Sequence, residues 1–112
     1  METPLQVTFR NIGPSEAIEA RIRERAGKLE HHFARIVGCR VVVEELHHHH
    51  RKGNHFQVRV DVTVPGAELV ATREPDAHHS HADLYVAIRD AFDAMDRQLV
   101  EHARQQDRRE RS

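Results

Sequence analysis

Asp83-Leu84-Tyr85-Val86-Ala87-Ile88-Arg89-Asp90-Ala91-Phe92-Asp93-Ala94-Met95-Asp96-Arg97-Gln98-Leu99 carries the strongest periodic pattern in the chain. Leu84, Ile88, Ala91, Met95 and Leu99 recur at steps of three and four, which stacks them along one stripe of an α-helix. Arg89, Asp93, Asp96 and Arg97 fall on the other side. Ser80, with Asp83 three residues on, has the pattern of a capping box, in which each side chain satisfies a backbone N–H that the first turn leaves unpaired. The stretch therefore predicts a long amphipathic helix that needs an apolar surface to lie on.

Strand patterns upstream supply that surface. Leu5, Val7 and Phe9 alternate with Gln6, Thr8 and Arg10, a period of two with one buried face. Asn11-Ile12-Gly13-Pro14 is turn material and Ser15 an N-cap for a helix over 16–33, whose apolar stripe is Ile18, Ile22, Ala26, Leu29 and Phe33. A second strand is expected over 40–46; its unbroken Val41-Val42-Val43 suits a central position. In the third strand Phe56, Val58, Val60, Val62 and Val64 point one way, and His55, Gln57, Arg59, Asp61 and Thr63 the other. Lys52-Gly53-Asn54 and Pro65-Gly66 are turn signals on either side of it, and a fourth strand is expected over 68–73. The order β-α-β-β-β-α combines one parallel crossover with two antiparallel hairpins. It predicts an α+β domain, a four-stranded mixed sheet with two helices packed on one face. That domain is expected over 1–104, and 105–112, polar throughout, reads as a disordered tail.

With 112 residues there is room for a single core, and with five aromatic residues it must be built mainly from Val, Ile, Leu and Ala. No apolar run approaches the ~20 residues of a membrane span, no signal-peptide pattern opens the chain, and the single cysteine, Cys39, excludes an internal disulfide. These features predict a soluble, cytoplasmic protein. Charge argues against a strongly basic nucleic-acid binder: 17 Lys+Arg face 18 Asp+Glu, for a formal charge of −1. Yet 15 of those cations are Arg, which suits bidentate phosphate contacts, and 11 histidines can add charge under mild acidity.

The run Asp83-Leu84-Tyr85-x-Ala87-Ile88 closing on Arg97-Gln98-Leu99, with Lys28-Leu29-Glu30-His31-His32-Phe33 ending the first helix, resembles the ribosome hibernation-promoting factor and ribosome-associated inhibitor family. That family is also called the sigma-modulation family. The resemblance covers about residues 6–104 and is to the short form, without the dimerising extension of longer members. It implies a fold like that of double-stranded-RNA-binding domains. It also implies a non-catalytic role on the small ribosomal subunit, against rRNA in the mRNA/tRNA channel, repressing translation or holding ribosomes dormant under stress. Carried over residue by residue, it gives Arg25 and Lys28 on the first helix and Arg89, Arg97 and Arg104 on the last as the nucleic-acid-binding set. His31 and His102 stand where the family often has a cation. A row of guanidinia at helical spacing can track phosphates, with affinity that falls steeply with salt. A solvated or ion-paired surface is the alternative for each of these cations.

The histidines offer a different reading. His47-His48-His49-His50 falls between two strands and His78-His79-x-His81 before the last helix, and the expected topology brings both runs, with His55, to one end of the sheet. Converging neutral imidazoles can ligate Zn or another divalent transition metal, although no Cys/His ligand spacing accompanies them. A metal-responsive module on the same scaffold is therefore the rival expectation, and a patch that charges beside rRNA phosphate a third use of the same residues. No metal, cofactor, small-molecule substrate or membrane partner is otherwise expected. A protein-binding regulator, as the sigma-modulation name suggests, has no residue that specifies it. Enzymatic motifs are lacking: Cys39 opens a strand and reads as a small packed hydrophobe, and Ser15 and Ser80 are explained as caps. Tyr85 is expected to pack its ring at the start of the last helix.

Overall fold

The computed structural model describes residues 1–47, 54–74 and 81–111. Its elements follow the expected order: β1 (Gln6–Arg10), α1 (Glu16–His32), β2 (Gly38–His47), β3 (Asn54–Val64), β4 (Ala67–Arg73) and α2 (His81–Arg111). The sheet order is β1-β2-β3-β4, with β1 parallel to β2 and the other two pairings antiparallel. β2 and β3 are thus the central strands, as the continuous valines of β2 required.

The register puts one alternate set of side chains on the helix side. Val7, Val41, Val60 and Ala71 lie in one row across the four strands, and Phe9, Val43 and Val58 in the next. Ile18, Ile22, Ala26 and Leu29 of α1 and Leu84, Ile88, Ala91, Met95 and Leu99 of α2 are buried in the same cluster. The stripes predicted from periodicity are therefore the ones that pack, and both helices cover one face. The other face, from Gln6 to Thr72, carries mainly polar side chains, with Val42 and Val70 among them.

Local chemistry sets the ends of the elements. Ser15 Oγ accepts from Ile18 N at 3.3 Å, so the predicted N-cap starts α1. At the β3–β4 turn Gly66 has φ +81°, a conformation that only glycine adopts without steric cost. Gln98 Nε2 donates to the Val70 carbonyl at 2.8 Å, covering an acceptor on the edge strand β4. The second strand begins two residues earlier than expected, so Gly38 belongs to β2, and Asn54, expected in the turn, opens β3. The rest of that turn, and the Ser80 cap, lie outside the described residues.

One expectation is corrected. Residues 105–111 are the last turns of α2, not a disordered tail. Composition there is polar, but Gln, Arg and Glu are good helix formers, and arginines near a C-terminus suit the helix dipole. A helix already nucleated by packing up to Leu99 needs only favourable propagation to continue. At 31 residues α2 is about 46 Å long and accounts for the elongated shape of 54 × 27 × 19 Å. No helix among the described residues is long and apolar enough to cross a membrane.

Candidate nucleic-acid interface

The five arginines and lysines carried over from sequence do not share one environment. Arg25 of α1 reaches across to α2, where its Nη2 donates to Asp93 Oδ1 at 2.7 Å; its side chain is only 22% exposed. Lys28 stands on the exposed side of α1, 3.7 Å from Glu24 one turn earlier. Arg89 is exposed and pairs with its neighbour Asp90 at 3.2 Å. Arg97 and Arg104 are exposed, and among the described residues neither makes an ion pair. They are seven residues apart, two helical turns, and so project from the same side of α2 about 10 Å from each other.

α2 is polarised along its length. Residues 83–96 carry four carboxylates and one arginine, whereas residues 97–111 carry five arginines and three carboxylates. Leu99 is the last buried residue of the helix, so most of the basic half extends beyond the core. Two cations absent from the sequence-derived set join it. Arg108, one turn beyond Arg104, is exposed without an ion pair among the described residues. Arg35, in the α1–β2 connection, is likewise exposed and unpaired. The helical spacing 97, 104, 108 was the signal for Arg108; Arg35 lies off any period and carried none.

Arg35 lines a cleft of about 370 Å³ between this connection, the β3–β4 turn and the overhanging part of α2. Its floor is apolar, with Phe33, Ile36, Val64 and Leu99, and His32 and His102 stand on its sides. His31 is exposed at the end of α1, and His102 is half-buried. Both positions carried over as possible cations thus lie at the basic end of the molecule.

Elsewhere the candidates are accounted for by packing. Tyr85 is half-buried against the core, and the Arg21 guanidinium lies over its ring at 5.4 Å, a cation–π contact between the helices. Cys39 is buried facing the core; burial first, and the nearby Asp61 carboxylate second, push its thiol up to about 12. It stays protonated at neutral pH, and the thiolate is the form that attacks or ligates.

Of the metal-ligand candidates, His48, His49, His50, His78 and His79 lie outside the described residues. His47 is the last residue of β2 and His81 the first of α2. His55, half-buried, pairs in register with Leu46 beside the same end of the β2–β3 hairpin. Among the described residues no three His, Cys, Asp or Glu side chains are grouped to hold a metal ion.

Comparison with known proteins agrees with this architecture. The profile of the family described as sigma 54 modulation protein / S30EA ribosomal protein matches residues 5–107. The ribosome hibernation promoting factor of Azotobacter vinelandii is 30% identical over 104 residues, which span 91% of this chain and 84% of that protein. A ribosomal subunit interface protein from Coxiella burnetii superposes with a TM-score of 0.70 at 17% identity, over 88% of this chain and 96% of that one. The N-terminal domain of Thermus thermophilus Protein Y does so with a TM-score of 0.64 at 22% identity, over 84% and 91%. The chain belongs to the sigma 54 modulation / S30EA ribosomal protein family.

Proposed function

We propose that this member of the family is a ribosome-associated hibernation factor. It docks non-catalytically on the small subunit, against rRNA in the mRNA/tRNA channel, and inhibits translation or holds ribosomes dormant under stress in the cytoplasm. The observation that carries this reading is the basic half of α2, most of it beyond the core, with Arg97 and Arg104 exposed and, among the described residues, without an ion pair. Guanidinia free of carboxylate partners can exchange water for phosphate without first breaking an ion pair. Lys28 and Arg89, each held by an exposed carboxylate, can join at little cost, since such pairs contribute at most about 1 kcal/mol. Arg25 is the least available of the five.

Co-sedimentation with small subunits at low and high salt tests the reading. Binding should weaken steeply as salt rises and ignore chelator. Arg97→Glu with Arg104→Glu should lower affinity at least tenfold and flatten the salt dependence by about two ion equivalents, with an unchanged circular dichroism spectrum. Unaltered binding by that double variant would remove the α2 end from the interface. The histidine-rich module is the second reading, and one backbone observation favours it. The pairing of His47 with Asn54 puts His47 at the end of the β2–β3 ladder, beside the Leu46–His55 pair. Stoichiometric Zn retained through dialysis, with no ribosome pelleting, would replace the first reading by this one.

A further inference from the structure

The sheet face turned away from the helices is built around a carboxylate. Asp61 of β3 lies in register with Arg40 of β2 and two residues beyond Arg59, so the three share this face. The Asp61 side chain is 7% exposed, whereas Arg40 and Arg59 are 54% and 52% exposed. Arg59 Nε donates to Asp61 Oδ1 at 3.0 Å, and Arg40 Nε lies 3.8 Å from Oδ2. Both guanidinia approach the carboxylate through Nε, and among the described residues their Nη groups make no hydrogen bond.

Burying a carboxylate in an otherwise open surface is costly unless cations compensate it. Here two do, Arg59 by a hydrogen bond and Arg40 by a longer ion pair, and the shared carboxylate draws both side chains to one place on this face. Gln6, Thr8 and Gln57 supply further polar groups around them, in a shallow depression of about 410 Å³. Arg10, 3.9 Å from Glu44, closes the side toward β1. Planar guanidinium edges match the oxygens of a tetrahedral oxyanion, and two already drawn together by a shared carboxylate lose less entropy on binding than two independent ones.

We propose that Arg40 and Arg59, positioned by Asp61, form a phosphate-binding cradle on the open sheet face, separate from the basic end of α2. A phosphodiester of RNA and a free phosphate compound share this chemistry. The first source rests on the ribosomal reading above and would give the protein RNA contacts on two faces.

The test follows the arginine Nε–H resonances of the full chain by NMR as inorganic phosphate replaces chloride at constant ionic strength. Those of Arg40 and Arg59 should move and saturate, while that of Arg97, exposed and without an ion pair among the described residues, should drift without saturating. Asp61→Asn should weaken the response of both arginines although it makes the protein more positive. A saturable response that is absent, equal at Arg97, or stronger in Asp61→Asn overturns the cradle. Co-sedimentation identifies the source once the cradle stands. Loss of about fivefold in ribosome affinity and about one ion equivalent of salt dependence in Arg40→Gln/Arg59→Gln assigns it to RNA. Wild-type ribosome binding by that variant, or no binding by the unmutated chain, assigns it to free phosphate; the second result also removes the ribosomal reading while leaving the cradle.

Discussion

Replacing Asp93 by asparagine should destabilise the fold and yet tighten its grip on the ribosome. The Asp93 carboxylate holds Arg25 at 2.7 Å across the two helices, with Arg25 22% and Asp93 51% exposed. At that distance an effective dielectric constant of about 40 gives a gross attraction of about 3 kcal/mol. Desolvating Arg25 and ordering both side chains offsets most of it, and the half-exposed carboxylate is screened, which leaves about 1 kcal/mol net. Asp93→Asn should accordingly lower Tm by about 4 °C, read by circular dichroism. In the same variant Arg25 is released beside the helix face and one carboxylate leaves it. If the freed guanidinium takes up one phosphate, affinity for small subunits near 0.1 M salt rises about fivefold and the salt dependence steepens by about one ion equivalent. Adding Arg25→Gln should cancel the gain while costing little further stability, because the pair is already broken. Ribosome binding that falls with Asp93→Asn would refute the reasoning, since Arg25 would then work only where Asp93 holds it.

Two further predictions concern the core. Met95, fully buried on the inner side of α2, should cost about 3 kcal/mol when cut to alanine, measured by urea denaturation; a loss below 1 kcal/mol would mean that the helix does not seat on the sheet as described. Cys39 makes stability depend on alkaline pH. Its folded-state thiol is pushed up to about 12 from an ordinary value of 9.0, so the unfolded chain gives up the proton first. The contribution is intact below pH 9 and is lost as pH rises from 9 towards 12, at about 1.4 kcal/mol per pH unit from this group. Denaturation midpoints of the wild type and Cys39→Ala should therefore converge over that range, and parallel midpoints would contradict the burial.

The fold was legible because its two decisive periodicities are nearly undisturbed. Five valines and phenylalanines alternate through β3, and five apolar residues at steps of three and four run through α2; no reading with another period fits either. What was not legible depends on distances between segments. Arg25 and Asp93 are 68 residues apart, and no local pattern announces that they meet. Asp61 was placed on the open face by alternation, but alternation cannot tell that Arg40 lies opposite it, because that follows from the exact β2–β3 register. The end of α2 was misjudged for another reason: polarity signals exposure, and exposure is not disorder when a nucleated helix can simply continue.

The near-zero net charge, the strongest sequence-level objection to RNA binding, loses its force once charges are placed in space. The acidic half of α2 and its basic half are each about 15 residues long, so their centres lie about 22 Å apart. At physiological ionic strength the screening length is about 8 Å, less than half that separation. A phosphate beside Arg104 and Arg108 therefore responds to those arginines and to the carboxylates among them, and hardly at all to Asp83, about 31 Å back along the helix from Arg104. Several of the remaining carboxylates are paired as well: Asp93 with Arg25, Glu24 with Lys28, Glu19 with Arg23, and Asp61 with two arginines. Net charge governs an interaction only when the partner is farther away than the charges are from each other. At contact with RNA the reverse holds, and the local arrangement decides.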